Sequence, residues 1–446
     1  MAPNVAACAV PAASASASLA GTPVTDPLVT FDTAWTIIAR THWDTTYNGV
    51  NWRALRDTLR PKAAAARTTG ELRSVLGDMV GSLKQSHFSI IPREVSDATS
   101  GGGGSANSSG DPNGTIGATL RYIDGTVMVT QVPVSSAAAK ANVRTGWILE
   151  AVNGCPLSTR LSRIPRNTDP RRAALTAYSV ATQMLAGPAG DTVHASFRDG
   201  DGKARDVSIV REPEAGELAK FGNLPPIPSA LSFERVKHDG KTIGIIRFNI
   251  WMPALSRHFD AAMDSLRNSD AIILDVRGNF GGVAGMANGI AGHFLDSAKT
   301  IGTMKQRGAA LKFVANPRRV DTRNQSVTPF AGPLALVVDE LSISTTEVFA
   351  GGMQALGRAR VFGTQTAGQA LPSVPERLPN GDILYHAIAD FLSPTGKQLE
   401  GAGVTPDVVT PVTRRALLGG KDPAREAALS WAVQAAKQPR RGITPH

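Results

Sequence analysis

The chain has 446 residues, with 47 lysines and arginines against 37 aspartates and glutamates, a net charge of +10, and 42% hydrophobic residues. That length exceeds one ordinary core, and the apolar content excludes global disorder. Two cysteines, Cys8 and Cys155, exclude a disulfide scaffold and a cysteine-rich metal site, and an aromatic content of 5% leaves little for base stacking despite the basic balance.

Residues 1–26 are rich in alanine and serine and nearly uncharged, which reads as a low-complexity tail. Within it Val5-Ala6-Ala7-Cys8 resembles a bacterial lipobox. The expectation is an exported protein, periplasmic or in the cell envelope, with a lipid anchor at Cys8 as the sharper version. No apolar run is long enough to span a membrane. Residues 27–95 form an N-terminal helical domain, helical to about residue 92, with an amphipathic stripe from Leu72 through Val75, Leu76, Met79 and Val80 to Leu83. Residues 96–113 hold SDATSGGGGSANSSGDPN, which contains almost nothing that packs, so a linker is expected there.

Residues 114–213 turn β-rich, with short strands at 116–120, 127–132 and 207–210 and a strand, turn, strand pattern around Val152-Asn153-Gly154. The run Ile116-Gly117-Ala118-Thr119-Leu120, then 136–144, then Gly146-Trp147-Ile148-Leu149 through Gly154, resembles a PDZ domain. The resemblance implies a peptide-binding edge at Ile116, Gly117 and Ala118. It departs from the family where Trp147 stands in place of the usual aspartate, and it leaves 158–186 as an insertion with no readable fold. A β-domain packed only for structure is the alternative. Residues 214–420 alternate short apolar strands (243–248, 271–276, 334–338) with helices (255–266, 284–295, 347–356), which predicts parallel βαβ units. Residues 421–446 add a C-terminal helix.

Two segments of that last region could carry chemistry. Asp275-Val276-Arg277-Gly278-Asn279-Phe280-Gly281-Gly282 follows a buried strand and precedes a helix. Its glycines allow backbone N–H groups to face open space, as in a phosphate cradle or an oxyanion hole. The spacing G-x-G-x-x-G and a Walker lysine are both missing, which counts against nucleotide binding. The second segment, from Asp339 to Glu347, places Ser344 at a strand-to-helix turn. A hydroxyl there is either a nucleophile beside a helix N-terminus or the first residue of a capping box with Glu347.

In this order, 275–282, 336–352 and 359–368 resemble the C-terminal processing and tricorn-type serine proteases. The resemblance implies a fold with a helical cap, a PDZ-like module and an α/β core like that of the Clp protease and crotonase. It implies Ser344 as nucleophile, with the amides of Gly282 and Thr345 as the oxyanion hole. The C-terminal processing branch takes its base from a lysine, where this chain has Gln369, which cannot accept a proton. The tricorn branch uses a histidine preceded by a serine, and a downstream glutamate. Ser86-His87 and Glu400 stand where these belong. His87 then acts as general base, with Ser86 and Glu400 orienting and polarising it.

Other titratable residues are weaker. The eight histidines contain no H-x-x-x-H or H-E-x-x-H, so no metal or cofactor is expected. His42, His258 and His293 fall on helical stretches as surface or packing residues, while His386 and Lys397 are rival bases. The leading expectation is therefore a serine peptidase acting on peptides or unfolded proteins, of unassigned oligomeric state and without a nucleic-acid partner. The rivals are a catalytically inactive relative that holds peptides and, behind it, a nucleic-acid binder.

Overall fold

The computed structural model describes residues 24, 26–94, 114–220, 222 and 226–438. Cys8 and the expected linker at 96–113 lie outside the described residues. The chain is a mixed α/β protein whose described residues cluster into two units: 114–216 with 409–427, and 217–408 with 26–94 and 428–438.

In the larger unit three helices come first, each started by recognisable chemistry. Pro27–Thr41 has proline in its first turn. Trp52–Ala65 is capped by the Asn51 side chain, which accepts from Ala54 N–H at 3.0 Å. Thr69–Gly81 begins with a full capping box between Thr68 and Glu71. Their apolar faces bury Phe31, Ile38, Leu59, Leu72, Leu76 and Met79 together with Leu378 and Leu384. The amphipathic stripe read from the sequence is thus the core face of the third helix.

The helical reading fails at residues 84–92. Lys84 and His87 take left-handed conformations, with φ of 53° and 61°, which no helix continues through. The chain then enters a strand, Ser89–Ile91, paired antiparallel with Ile383–Ala387 so that Ser89 lies opposite Tyr385. Pairing with a distant strand overrides the local pattern. The same region is fastened by Arg73, whose guanidinium meets Asp382 at 2.6 Å and Glu94 at 2.7 Å.

The central sheet runs Leu231–His238, Lys241–Phe248, Ala271–Asp275, Leu334–Val338 and Arg360–Gly363, antiparallel at the first step and parallel at the next three. The parallel strands Ala271–Asp275 and Leu334–Val338 are buried along their whole length, as expected of strands covered on both faces. The helices Ser256–Leu266, Gly285–Gly292 and Thr345–Ala355 follow in βαβ order. The second is shorter than the sequence suggested, ending before His293.

The smaller unit is an antiparallel sheet in the order Thr119–Ile123, Thr126–Gln131, Ile148–Val152, Thr192–Arg198 and Ala204–Val210. Residues 170–185, unread in the sequence, form the helix Pro170–Leu185, capped by Asp169. Its Ala177, Ala181 and Leu185 pack against Leu120, Val129, Leu149 and Phe197. The strand expected from residue 116 starts later, at Thr119: Ile116, Gly117 and Ala118 lie outside it, with Gly117 at φ 69°. A Cβ on Gly117 would stand 2.8 Å from Ser136 Cβ, which accounts for the glycine.

Candidate active site

Ser344 caps the helix Thr345–Ala355 at the end of the buried strand Leu334–Val338. Its backbone is held at φ 58°, ψ −119°, a conformation that costs a serine ~1–3 kcal/mol. From Leu341 to Met353 it is the one residue left partly exposed. The surrounding bonds hold the turn in this shape. Asp339 Oδ1 accepts from Gly278 N–H at 2.8 Å and Leu341 N–H at 3.1 Å, joining the glycine loop to the turn that carries Ser344. The Ser344 N–H donates to Gln369 O at 2.9 Å and toward Glu347 Oε2 at 3.2 Å. The capping relation with Glu347 is therefore present, in a residue whose backbone is far from the extended conformation of an ordinary cap.

Glu347 is fully buried and was read from the sequence only as a capping partner. Its Oε1 accepts from Thr366 Oγ1 at 2.6 Å and Gly368 N–H at 2.7 Å, and its Oε2 from Gln369 N–H at 2.9 Å. Burial pushes its carboxyl up to about 7, against the pull of these hydrogen bonds toward the ionised form. One side chain thus ties the segment 366–369 to the start of the nucleophile helix.

The glycine cluster abuts Ser344. A Cβ on Gly281 would come within 2.6 Å of Ser344 Cβ, so a side chain there is excluded by the serine itself. Gly282, at φ 134°, has no room either, because a Cβ would run into the Trp251 carbonyl. The Gly282 carbonyl accepts from Thr345 Oγ1 at 2.7 Å. The N–H groups of Gly282 and Thr345 have no hydrogen-bond acceptor among the described residues. The latter is the first amide of the helix, where unpaired donors and the helix dipole favour negative charge. Asn279, fully buried, anchors the loop: it donates to Phe248 O at 3.0 Å and accepts from Gly281 N–H at 3.0 Å. Its role was legible only as part of the glycine-rich run.

Ser86, His87 and Glu400, separated by 314 positions at their widest bond, form one hydrogen-bonded chain. Ser86 Oγ donates to Glu400 Oε2 at 2.8 Å, and Ser86 N–H to Glu400 Oε1 at 2.9 Å. Ser86 Oγ lies 2.7 Å from His87 Nδ1. A hydroxyl has one proton, and it is given to the carboxylate. The bond to the imidazole therefore requires hydrogen on Nδ1, which leaves a lone pair on Nε2. Burial pushes the imidazole down to about 4, so it is neutral at ordinary pH. Its ring lies against Tyr385, with centroids 5.8 Å apart.

These parts meet through Gln369 and Ala370. Gln369 O holds the Ser344 amide, and the next N–H, that of Ala370, donates to Glu400 Oε2 at 3.0 Å. Among the described residues no hydrogen bond joins Ser344 Oγ directly to His87. Of the rival bases, His386 is buried between Thr41 Oγ1 at 3.3 Å and Glu376 at 3.1 Å, while Lys397 is exposed. His42 is a core residue, fully buried, 3.0 Å from Gln85 and stacked on Trp43. In the smaller unit, Gly117 N–H is already bonded to Thr115 Oγ1 at 3.2 Å, and Ile116 O accepts from Ala138 N–H at 2.8 Å.

Residues 242–410 match the family model of Peptidase family S41, and residues 23–81 that of the Tricorn protease C1 domain. Carboxyl-terminal-processing peptidase 2, chloroplastic, of Arabidopsis thaliana is 26% identical over 387 residues, covering 86% of this chain and 69% of its own length. A probable CtpA-like serine protease of Staphylococcus aureus is 24% identical, and the chain spans 59% of that relative. The solved photosystem II D1 C-terminal processing protease superposes with a TM-score of 0.58 at 18% identity, covering 94% of this chain and all of that one (100%). Mature CPAF gives 0.58 at 14% identity, covering 92% and 96%. The two structures are alike in fold. No helix among the described residues is long and apolar enough to cross a membrane.

Proposed function

We propose that this chain, a serine-type peptidase with a Peptidase family S41 domain over residues 242–410, hydrolyses peptide bonds through an acyl-enzyme on Ser344 with His87 as general base. The observation that carries the reading is the chain Glu400–Ser86–His87, which fixes the proton on Nδ1 and leaves Nε2 as a base. Ser344 Oγ attacks the scissile carbonyl as His87 Nε2 takes its proton. The carbonyl oxygen, now an oxyanion, is met by the N–H groups of Gly282 and Thr345. When the C–N bond breaks, the proton on Nε2 passes to the leaving amine. Water then enters, gives a proton to Nε2, and attacks the ester, and Ser344 recovers its proton as the carboxylic acid product leaves. Glu400, through Ser86, stabilises the imidazolium that exists between these steps. The missing Ser344 Oγ to His87 bond is consistent with a site that tightens only around its substrate.

The finer architecture follows the same reading. The α/β unit serves as a core of the Clp protease and crotonase kind, with residues 27–95 as its helical cap and 214–420 as its body. Residues 114–213 serve as a PDZ-like module, supported by an antiparallel sheet with a helix laid on it. With the Ile116 and Gly117 backbone partly engaged, Ala118 onward is the edge left for a peptide tail. Export to the periplasm or cell envelope is supported by the lipobox-like residues before Cys8. The test is covalent. A fluorophosphonate should label Ser344 in the intact chain, and Ser344→Ala should neither label nor hydrolyse peptides. Hydrolysis retained by that variant overturns the mechanism.

A further inference from the structure

We infer that Phe280 is a specificity-determining residue, an aromatic wall that favours substrates with a large apolar side chain next to the scissile bond. The inference rests on Ser344 being the nucleophile, as proposed above. Phe280 sits inside the glycine run, and its immediate neighbour Gly281 packs so close to Ser344 that a Cβ on it would stand 2.6 Å from Ser344 Cβ. It is 39% exposed; of the described phenylalanines only Phe280 and Phe233 are exposed, the others being buried or half-buried.

The loop around it is pinned on both sides. On one side Asn279 is fully buried, and its carbonyl accepts from Ile343 N–H at 3.0 Å and Thr346 Oγ1 at 3.0 Å. On the other, Gly281 donates to Asn279 Oδ1 at 3.0 Å and accepts from Trp251 N–H at 2.8 Å. The backbone carrying Phe280 is therefore held on both sides. A single exposed apolar side chain on a mobile surface loop would need no explanation. Here a large ring is held one residue from the contact with the nucleophile, between the strand end and the amides that face the reacting carbonyl. An aromatic wall of this kind recognises aliphatic and aromatic side chains by removing apolar area from water. Its pinned backbone lowers the ordering cost at binding.

The experiment measures kcat/KM of the full chain on a peptide panel in which each position flanking the scissile bond carries alanine, valine, leucine or phenylalanine in turn. Reactive serines are counted by fluorophosphonate titration, so rates are per active site. The wild type should prefer leucine or phenylalanine over alanine at one flanking position. Phe280→Ala should reduce that preference by about tenfold, the scale of discrimination by a modest apolar contact, and Phe280→Leu should restore much of it. An unchanged leucine-to-alanine ratio in Phe280→Ala, with serines still titrating, overturns the inference. Failure of the wild type to titrate at Ser344 instead overturns the underlying mechanism, so the two failures are distinguishable.

Discussion

Replacing Glu400 by glutamine tests whether the base depends on its distant carboxylate. Glu400 accepts from three donors: Ser86 N–H at 2.9 Å, Ser86 Oγ at 2.8 Å and Ala370 N–H at 3.0 Å. A glutamine amide has one acceptor oxygen. If that oxygen faces Ser86 Oγ and Ala370, the NH2 group confronts the Ser86 N–H. If it turns the other way, two donors are lost instead of one. Either orientation leaves a donor of this part-buried cluster unpaired, at a cost of ~1–3 kcal/mol. The negative charge that favours protonated His87 in the transition state is removed as well. Glu400→Gln should therefore lower kcat/KM by roughly 10- to 100-fold. The assay is hydrolysis of a quenched fluorescent peptide, with active sites counted by fluorophosphonate. Fluorophosphonate labelling should slow too, since it uses the same base. A variant within twofold of wild type in both readouts would refute the relay through Ser86.

Gly282→Ala should lose about 10²-fold or more in kcat, because its Cβ meets the Trp251 carbonyl and the φ of 134° is strained for alanine, so the oxyanion amide is displaced; a near-normal kcat would remove that amide from the mechanism. Gln369→Ala should retain activity within about threefold, a change on the scale of a neutral surface substitution, since the backbone of residue 369 and not its side chain holds Ser344 and Glu347; a loss like that of Ser344→Ala would give the side chain a chemical role. The acid limb of the kcat/KM profile should fall below pH 6.5 and toward 4, because burial depresses His87 to about 4. The two buried groups should also act on stability in opposite directions. His87 is depressed when folded, so its contribution is present above about pH 6.5 and lost as pH falls through about 4. Glu347 is raised to about 7, so its contribution is full below about pH 4.5 and lost as pH rises through 7. Glu347→Gln should remove the second slope from a plot of Tm against pH between 4.5 and 7, and a slope identical to wild type would refute the burial argument.

The nucleophile turn and the glycine loop were readable because their information is local. A buried strand, a hydroxyl and an acidic residue three positions later mark a strand-to-helix turn at Ser344. The glycines at 281 and 282 mark a backbone that must approach something closely. What they approach, Ser344 and Trp251, is not written near them. Ser86, His87 and Glu400 were placed by resemblance, since nothing in the spacing of 87 and 400 brings them together. The strand Ser89–Ile91 was missed for the same reason. Its partner is Ile383–Ala387, and the left-handed residues at 84 and 87 that end the helix are neither glycine nor asparagine. Glu347 was read as a cap, while its larger role depends on the amides of 368 and 369 arriving from another strand end.

Under the proposed mechanism, residues 368–370 account for a glutamine at 369, where the resemblance to the C-terminal processing branch implies a lysine base. Through main-chain groups alone, residues 368–370 bind the Ser344 amide, the buried carboxylate of Glu347 and the carboxylate of Glu400. None of these bonds depends on the side chain at 369, which makes no hydrogen bond of its own among the described residues. The segment's structural work is therefore separable from the supply of a base. Under the proposed mechanism the base is His87, on a loop fastened to Glu400 through Ser86 and held by the Ser89–Ile91 pairing and by Arg73. In that mechanism the 368–370 strap registers Ser344 against the Glu400–Ser86–His87 relay. That coupling predicts that disturbing the strap's backbone should impair His87 and Ser344 together, whereas changing its side chain at 369 should impair neither.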